Sequence, residues 1–142
     1  MTAAAPASQA LASPTLDVID KINHLRRTHG LRTLRISPSL VHSARAYADT
    51  MMDGEYFGHV SRIRASSKYE RLGEILQIHN GRQPDPEWAF HDWLHSPTHL
   101  AVMLDPLFTY IGGGYTVGRF YGFNWRFSGR DDTIWVVHFG RL

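Results

Sequence analysis

Four short pairs punctuate this chain and limit what it can become: Ser13-Pro14, Ser37-Pro38, Asp85-Pro86 and Ser96-Pro97. In each, a side chain able to accept from a free helix N–H precedes the residue whose fixed φ and missing N–H suit the first helical position. Behind the first pair, Val18, Ile22 and Leu25, with Ile19 beside them, recur at helical spacing until Gly30, so a first helix is predicted there. Behind the second, Leu40, Val41, Ala44, Tyr47, Ala48 and Met51 form a second apolar face that stops at Gly54. The third pair opens a helix through Trp88, Ala89, Phe90, Trp93 and Leu94, and the fourth a turn from His99 to Leu104 closed by Asp105-Pro106. Between them, residues 31–36 read as an extended link, 55–66 as irregular chain, 67–72 as a helical turn leading into Glu74, and 80–86 as a polar loop.

The last third changes period. Residues 109–116, 119–127 and 133–139 alternate as strands, with Val117-Gly118 and residues 128–132 as the turns. The final strand sets Ile134, Val136 and His138 on one face and Trp135, Val137 and Phe139 on the other, so both faces are expected to be covered. Helices followed by sequential hairpins predict an α+β fold, with an antiparallel sheet of about three strands and helices packed over it, and not a βαβ nucleotide fold. Gly112, Gly113 and Gly114 lie inside a strand with no lysine after them, which indicates close backbone packing, not a phosphate loop. The stripe Tyr121, Phe123, Trp125 and Phe127 reads as a sheet face packed on helices.

Composition removes several function classes. A chain of 142 residues is the size of one domain, and 43% hydrophobic with 20% charged residues makes it globular. With no cysteine there is no disulfide, thiolate metal site or cysteine nucleophile. The net charge is +2 and the arginines are scattered, so no nucleic-acid partner is expected. No apolar run can span a bilayer, and a monomer is expected. Residues 1–13 are Ala/Ser/Pro-rich and read as a flexible segment before a domain at 14–142; they lack the basic and apolar regions of an intact signal peptide. No serine-hydrolase signature is present, and His91 and His95, one helical turn apart, lack the glutamate of a zinc-peptidase helix.

The chemistry-bearing residues are His59 in Tyr56-Phe57-Gly58-His59-Val60-Ser61, Glu74 in Leu72-Gly73-Glu74-Ile75, and His99 in Trp93-Leu94-His95-Ser96-Pro97-Thr98-His99. Imidazole and carboxylate are what a divalent metal or an acid/base pair requires, and only folding can bring these positions together. The ordered phrases continue through Pro106-Leu107-Phe108-Thr109-Tyr110-Ile111-Gly112-Gly113-Gly114 to Trp135-Val136-Val137-His138-Phe139-Gly140. Over about residues 15–140 this set resembles the CAP superfamily, or SCP domains, of cysteine-rich secretory proteins, venom antigens and plant pathogenesis-related proteins, in its cysteine-free bacterial branch.

The resemblance implies a three-layer α–β–α sandwich with a cleft lined by His59, Glu74 and His99. The family's second glutamate falls on Ser96, and the asparagine that usually follows the first is Ile75. It further implies an exported protein, secreted or held in the cell envelope, that binds a lipid, glycan or protein. The metal reading makes His59 and His99 weak, exchangeable ligands for Zn²⁺ or another divalent cation. The alternative is a metal-dependent hydrolase with Glu74 as the catalytic general base; a third possibility is a hydrogen-bonded cluster with a structural role. Arg62, Arg64 and Lys68, in the segment after His59, favour an anionic ligand.

Overall fold

The computed structural model describes residues 13–122 and 129–142. Four helices and four strands follow one another as α1 (Ser13–Thr28), β1 (Arg35–Ile36), α2 (Pro38–Gly54), β2 (Arg71–Asn80), α3 (Pro86–Leu94), α4 (Pro97–Met103), β3 (Tyr110–Phe120) and β4 (Arg130–Arg141). Every helix begins where the sequence placed it. Asp85 caps α3 through its side chain, accepting from the Trp88 N–H at 3.0 Å. Ser37 and Ser96 hold the extended backbone of a cap but spend their hydroxyls elsewhere, on Tyr69 and His99 respectively. At the far end of α2, Glu55 takes the left-handed conformation (φ 59°) that closes the helix after Gly54.

The strands form one sheet in the order β1-β3-β4-β2. Both long pairings, β2–β4 and β3–β4, are antiparallel, and the two-residue β1 joins the edge in parallel to β3, so the sheet is mixed. Helices α1, α3 and α4 cover one face and α2 the other, giving three layers. On the first face Val18, Ile19, Ile22, Trp93, Trp135, Val137 and Phe139 pack as one apolar cluster; on the second, Ala44, Ala48, Met51, Leu76, Ile134 and Val136 form another. The expected burial of both faces of the last strand is therefore observed.

Two expectations need correction. Residues 71–80 are a ten-residue strand where a helical turn had been expected over 67–72. Alternation is hidden there because Gln77 and His79 sit on a buried face, where the Gln77 amide nitrogen donates to Asp92 at 2.9 Å and His79 accepts from the Trp135 indole N–H at 3.1 Å. Val117-Gly118 is not a turn: it pairs with Thr133 and Asp132 inside one continuous β3. The reversal comes later, at Gly129, whose φ is 80° and whose N–H meets the Phe120 carbonyl at 2.7 Å. The expected strand 119–127 and its aromatic stripe fall, beyond Gly122, outside the described residues.

Two glycines fix the height of α2 above the sheet. A Cβ on Gly112 would collide with the backbone of Leu40 and Val41, and one on Gly114 with the Arg45 side chain. The glycine run serves close packing, as the sequence indicated. Gly112 is the β3 partner of His138, so the missing side chain lets α2 settle directly over that histidine.

Candidate functional site

Glu74 and His138 are cross-strand partners on the α2 side of β2 and β4. The Glu74 carboxylate is almost wholly buried, with one oxygen to each of two imidazoles. Oε1 meets His59 Nδ1 at 2.7 Å, and Oε2 meets His138 Nε2 at 2.7 Å. His138 is fully buried, and its Nδ1 lies 2.7 Å from the Ser43 hydroxyl on α2, which also reaches the Leu40 carbonyl at 3.2 Å. A line of four side chains thus runs from an exposed imidazole through the sheet to the helix.

Proton positions follow from chemistry. An ionised carboxylate only accepts, so both His59 Nδ1 and His138 Nε2 donate to Glu74. At Nδ1, His138 meets the Ser43 oxygen, whose own hydrogen is directed to the Leu40 carbonyl. His59 Nδ1 donates to Glu74, which turns Nε2 outward, on a side chain 56% exposed.

His99 arrives from α4. Its Nδ1 is 2.8 Å from the Ser96 hydroxyl, so Ser96 orients the ring instead of capping the helix backbone. Burial pushes the His99 imidazole below its ordinary pKa, and the charge of His59 pushes the same way, so the two histidines share one neighbourhood. His59 and Glu74 are joined directly, whereas His99 hydrogen-bonds to Ser96 and not to Glu74. Tyr47 braces the loop, its hydroxyl donating to the Gly58 carbonyl just before His59. Its phenol is pushed up by burial and, less, by Tyr56 and Glu74.

Two imidazole nitrogens, each backed by a carboxylate or hydroxyl, are the donor chemistry of a zinc ligand pair. Among the described residues, however, no three His, Cys, Asp or Glu side chains are grouped so as to hold an ion. Among the described residues these two imidazoles have no third ligand beside them, which falls short of a closed metal site. His91 and His95 lie with ring centroids 4.2 Å apart and planes tilted by 32°, as exposed surface residues.

Sequence reasoning missed His138, Ser43 and Tyr47. A signal for the first existed: a histidine inside the apolar run 134–139 must be partnered once both strand faces are covered. Nothing local marks Ser43, whose role comes from the approach of α2 to Gly112.

A model of the cysteine-rich secretory protein family, CAP, matches residues 19–139. Protein YkwD of Bacillus subtilis is 34% identical over 123 residues, covering 80% of this chain and 46% of its own length, so the chain spans about half of that relative. Among solved structures, an outer surface protein of Borrelia burgdorferi superposes with a TM-score of 0.70 at 19% identity, covering 99% of this chain and 98% of the other. An extracellular SCP-domain protein of Bacillus anthracis gives 0.69 at 20% identity, covering 100% of this chain and 45% of its own. At those identities the likeness is one of fold. Among the described residues no helix is long and apolar enough to cross a membrane.

Proposed function

The chain belongs to the cysteine-rich secretory protein (CAP) family, and on that premise we propose that it is an exported binding protein of the cell envelope or exterior, whose ligand is read by the outward nitrogens of His59 and His99. The observation that carries this reading is the bond between His59 Nδ1 and buried Glu74, which holds the other ring nitrogen, Nε2, in one orientation on an exposed side chain. Ser96 orients the His99 ring, its hydroxyl able to donate or to accept. Two oriented imidazoles suit a polar ligand group, and they suit a weakly held divalent cation that would in turn draw a ligand oxygen. The outer surface protein and the extracellular protein that share this fold support the location.

The hydrolase alternative asks Glu74 to take a proton from water. Both of its oxygens already accept from an imidazole and its side chain is only 4% exposed, which favours an orienting role for it over attack on water. Binding is therefore the reading we favour.

Calorimetric titration of Zn²⁺ into the wild type and into the His59→Ala/His99→Ala double variant tests the cation. Weak binding lost in the variant is expected, and equal heats would remove the metal from the proposal. Native mass spectrometry of protein purified from its source tests the ligand. The expected adduct disappears in the double variant; its survival there would move the binding site away from these histidines.

A further inference from the structure

Asp132 differs from every other buried polar group on the α2 side of the sheet. It continues the β4 face of Ile134, Val136 and His138, opposite Asn80 of β2 and Gly118 of β3. Its side chain is 1% exposed, and among the described residues neither carboxylate oxygen has a hydrogen-bond partner. A guanidinium nitrogen of Arg130 lies 3.8 Å from Oδ1, too far for a hydrogen bond. Glu74 is also buried, but each of its oxygens has an imidazole. A carboxyl placed as Asp132 is tolerated as the neutral acid and strongly disfavoured as the anion. Burial raises its pKa above the ordinary carboxylate value of 3.8, against the opposing pull of Arg130 and His79, and Asp131 adds to the rise. Arg130 and Asp131 belong to its own strand and His79 to β2. From β3 comes Gly118, and over it the uncharged Met52 side chain of α2. Arg119 of β3, and Asp49, Asp53 and Glu55 on α2 and at its end, are solvent-exposed.

The end of the hairpin above Asp132 also touches the base of the histidine loop. Phe120 is buried, and its carbonyl accepts from the Gly129 N–H at 2.7 Å. Gly122 lies so close to the end of α2 that a Cβ there would meet the Glu55 carbonyl. Glu55 opens the segment that carries His59, and the next residue, Tyr56, donates its N–H to the Met51 carbonyl at 3.2 Å. We propose that Asp132 is a proton-operated catch: as the neutral acid it lets the end of the β3–β4 hairpin lie closed on the terminus of α2, and as the anion it drives that end open to water and loosens the segment leading to His59. The sign follows from linkage. Opened, the carboxyl is hydrated and has its ordinary value of 3.8; closed, it keeps its proton to higher pH. The closed form therefore binds more protons in that window, and opening grows easier as pH rises through it, by up to about tenfold per pH unit, and then levels off. Only the use of the catch in ligand binding rests on the function proposed above.

The test needs no ligand, so its outcome is independent of whether the histidines bind one. Amide exchange of the full chain is followed by NMR from about pH 4 to about pH 8, corrected for intrinsic rates, with the Asp132 carboxyl ¹³C shift recorded alongside. In the wild type the Asp132 midpoint is expected above 3.8. The protection of the Gly129 and Tyr56 amides should fall together as pH rises to that midpoint, by up to about tenfold per pH unit, and stay level beyond it. Asp132→Asn, neutral and of the same shape, should keep both amides as protected at the upper end of the range as at the lower. Asp132→Leu, a second neutral variant, should be equally flat. A midpoint at or below 3.8, an unchanged slope in Asp132→Asn, or a fall at Gly129 that leaves Tyr56 unmoved overturns the proposal.

Discussion

The two faces of β4 are made from neighbouring residues of one strand and held by different physics. Trp135, Val137 and Phe139 point towards α1 and α3 into an apolar cluster with Ile19, Ile22 and Trp93. Ile134, Val136 and His138 point towards α2, where the apolar cluster gives way to the line from Ser43 to His59. The first face gains from area removed from water and is indifferent to small errors of direction. The second gains only if each donor finds its acceptor, because an unpaired buried polar group costs more than a made bond returns. Even the first face has polar anchors, Arg26 besides Gln77 and His79. Arg26 is fully buried on α1, its guanidinium donating to the carbonyls of Arg32, Met103, Asp105 and Phe108 at 2.8–3.3 Å. Burial lowers its pKa and Asp105 opposes that shift. Arg26 fastens loops, whereas His138 fastens a reactive group; the polar residue belongs wherever direction matters more than area.

The largest expected effect lies on the apolar face. Trp135→Ala should cost about 3–5 kcal/mol by denaturant unfolding, the usual range for deleting a buried tryptophan. In the fraction that stays folded, the His59 resonances should be unchanged; a shifted His59 would mean that the faces are not independent. Next comes Gly112→Ala, expected to cost about 1–3 kcal/mol because a methyl there must lift α2. That change should also alter the His138 and His59 resonances, and a destabilised variant with both unmoved would break the link between helix height and site geometry. Third is a pair at one position. His138→Leu strands Glu74 and Ser43 and should lose about 1–3 kcal/mol. His138→Gln, whose amide can hydrogen-bond to both, should recover most of it. Equal losses would make the buried imidazole a matter of packing alone.

The smallest effect is with pH. His99 is held below its ordinary value of 6.5 by burial and by His59. The unfolded chain therefore takes up that proton first, and stability should fall as pH drops below about 6.5 towards the folded-state pKa. His99→Ala should flatten that part of the profile; an unchanged slope would place the proton elsewhere.

What could be read from the sequence divides along the same line. Helix starts were legible because a cap and a proline act within one turn, and His59 and Glu74 because each sits in a short phrase. β2 was not, since Glu74, Gln77 and His79 look solvent-facing until Asp92, Trp135 and His138 are supplied by distant chain. A turn too many was expected because Val117-Gly118 has turn composition but lies in a strand, where Gly118 faces the Met52 side chain. His138 was assigned to the right strand face without a role, as its partners are 64 and 95 residues away. Locality, more than residue type, set the limit.

The sheet order has a consequence for biogenesis. The strand that joins β2 to β3 is the last of the four to be synthesised, and both wait for it as their common neighbour. Until residue 141 has cleared the ribosome, the helices have no completed surface to close upon, and the nascent polypeptide remains open and threadable. Such a molecule completes its architecture in a single late step.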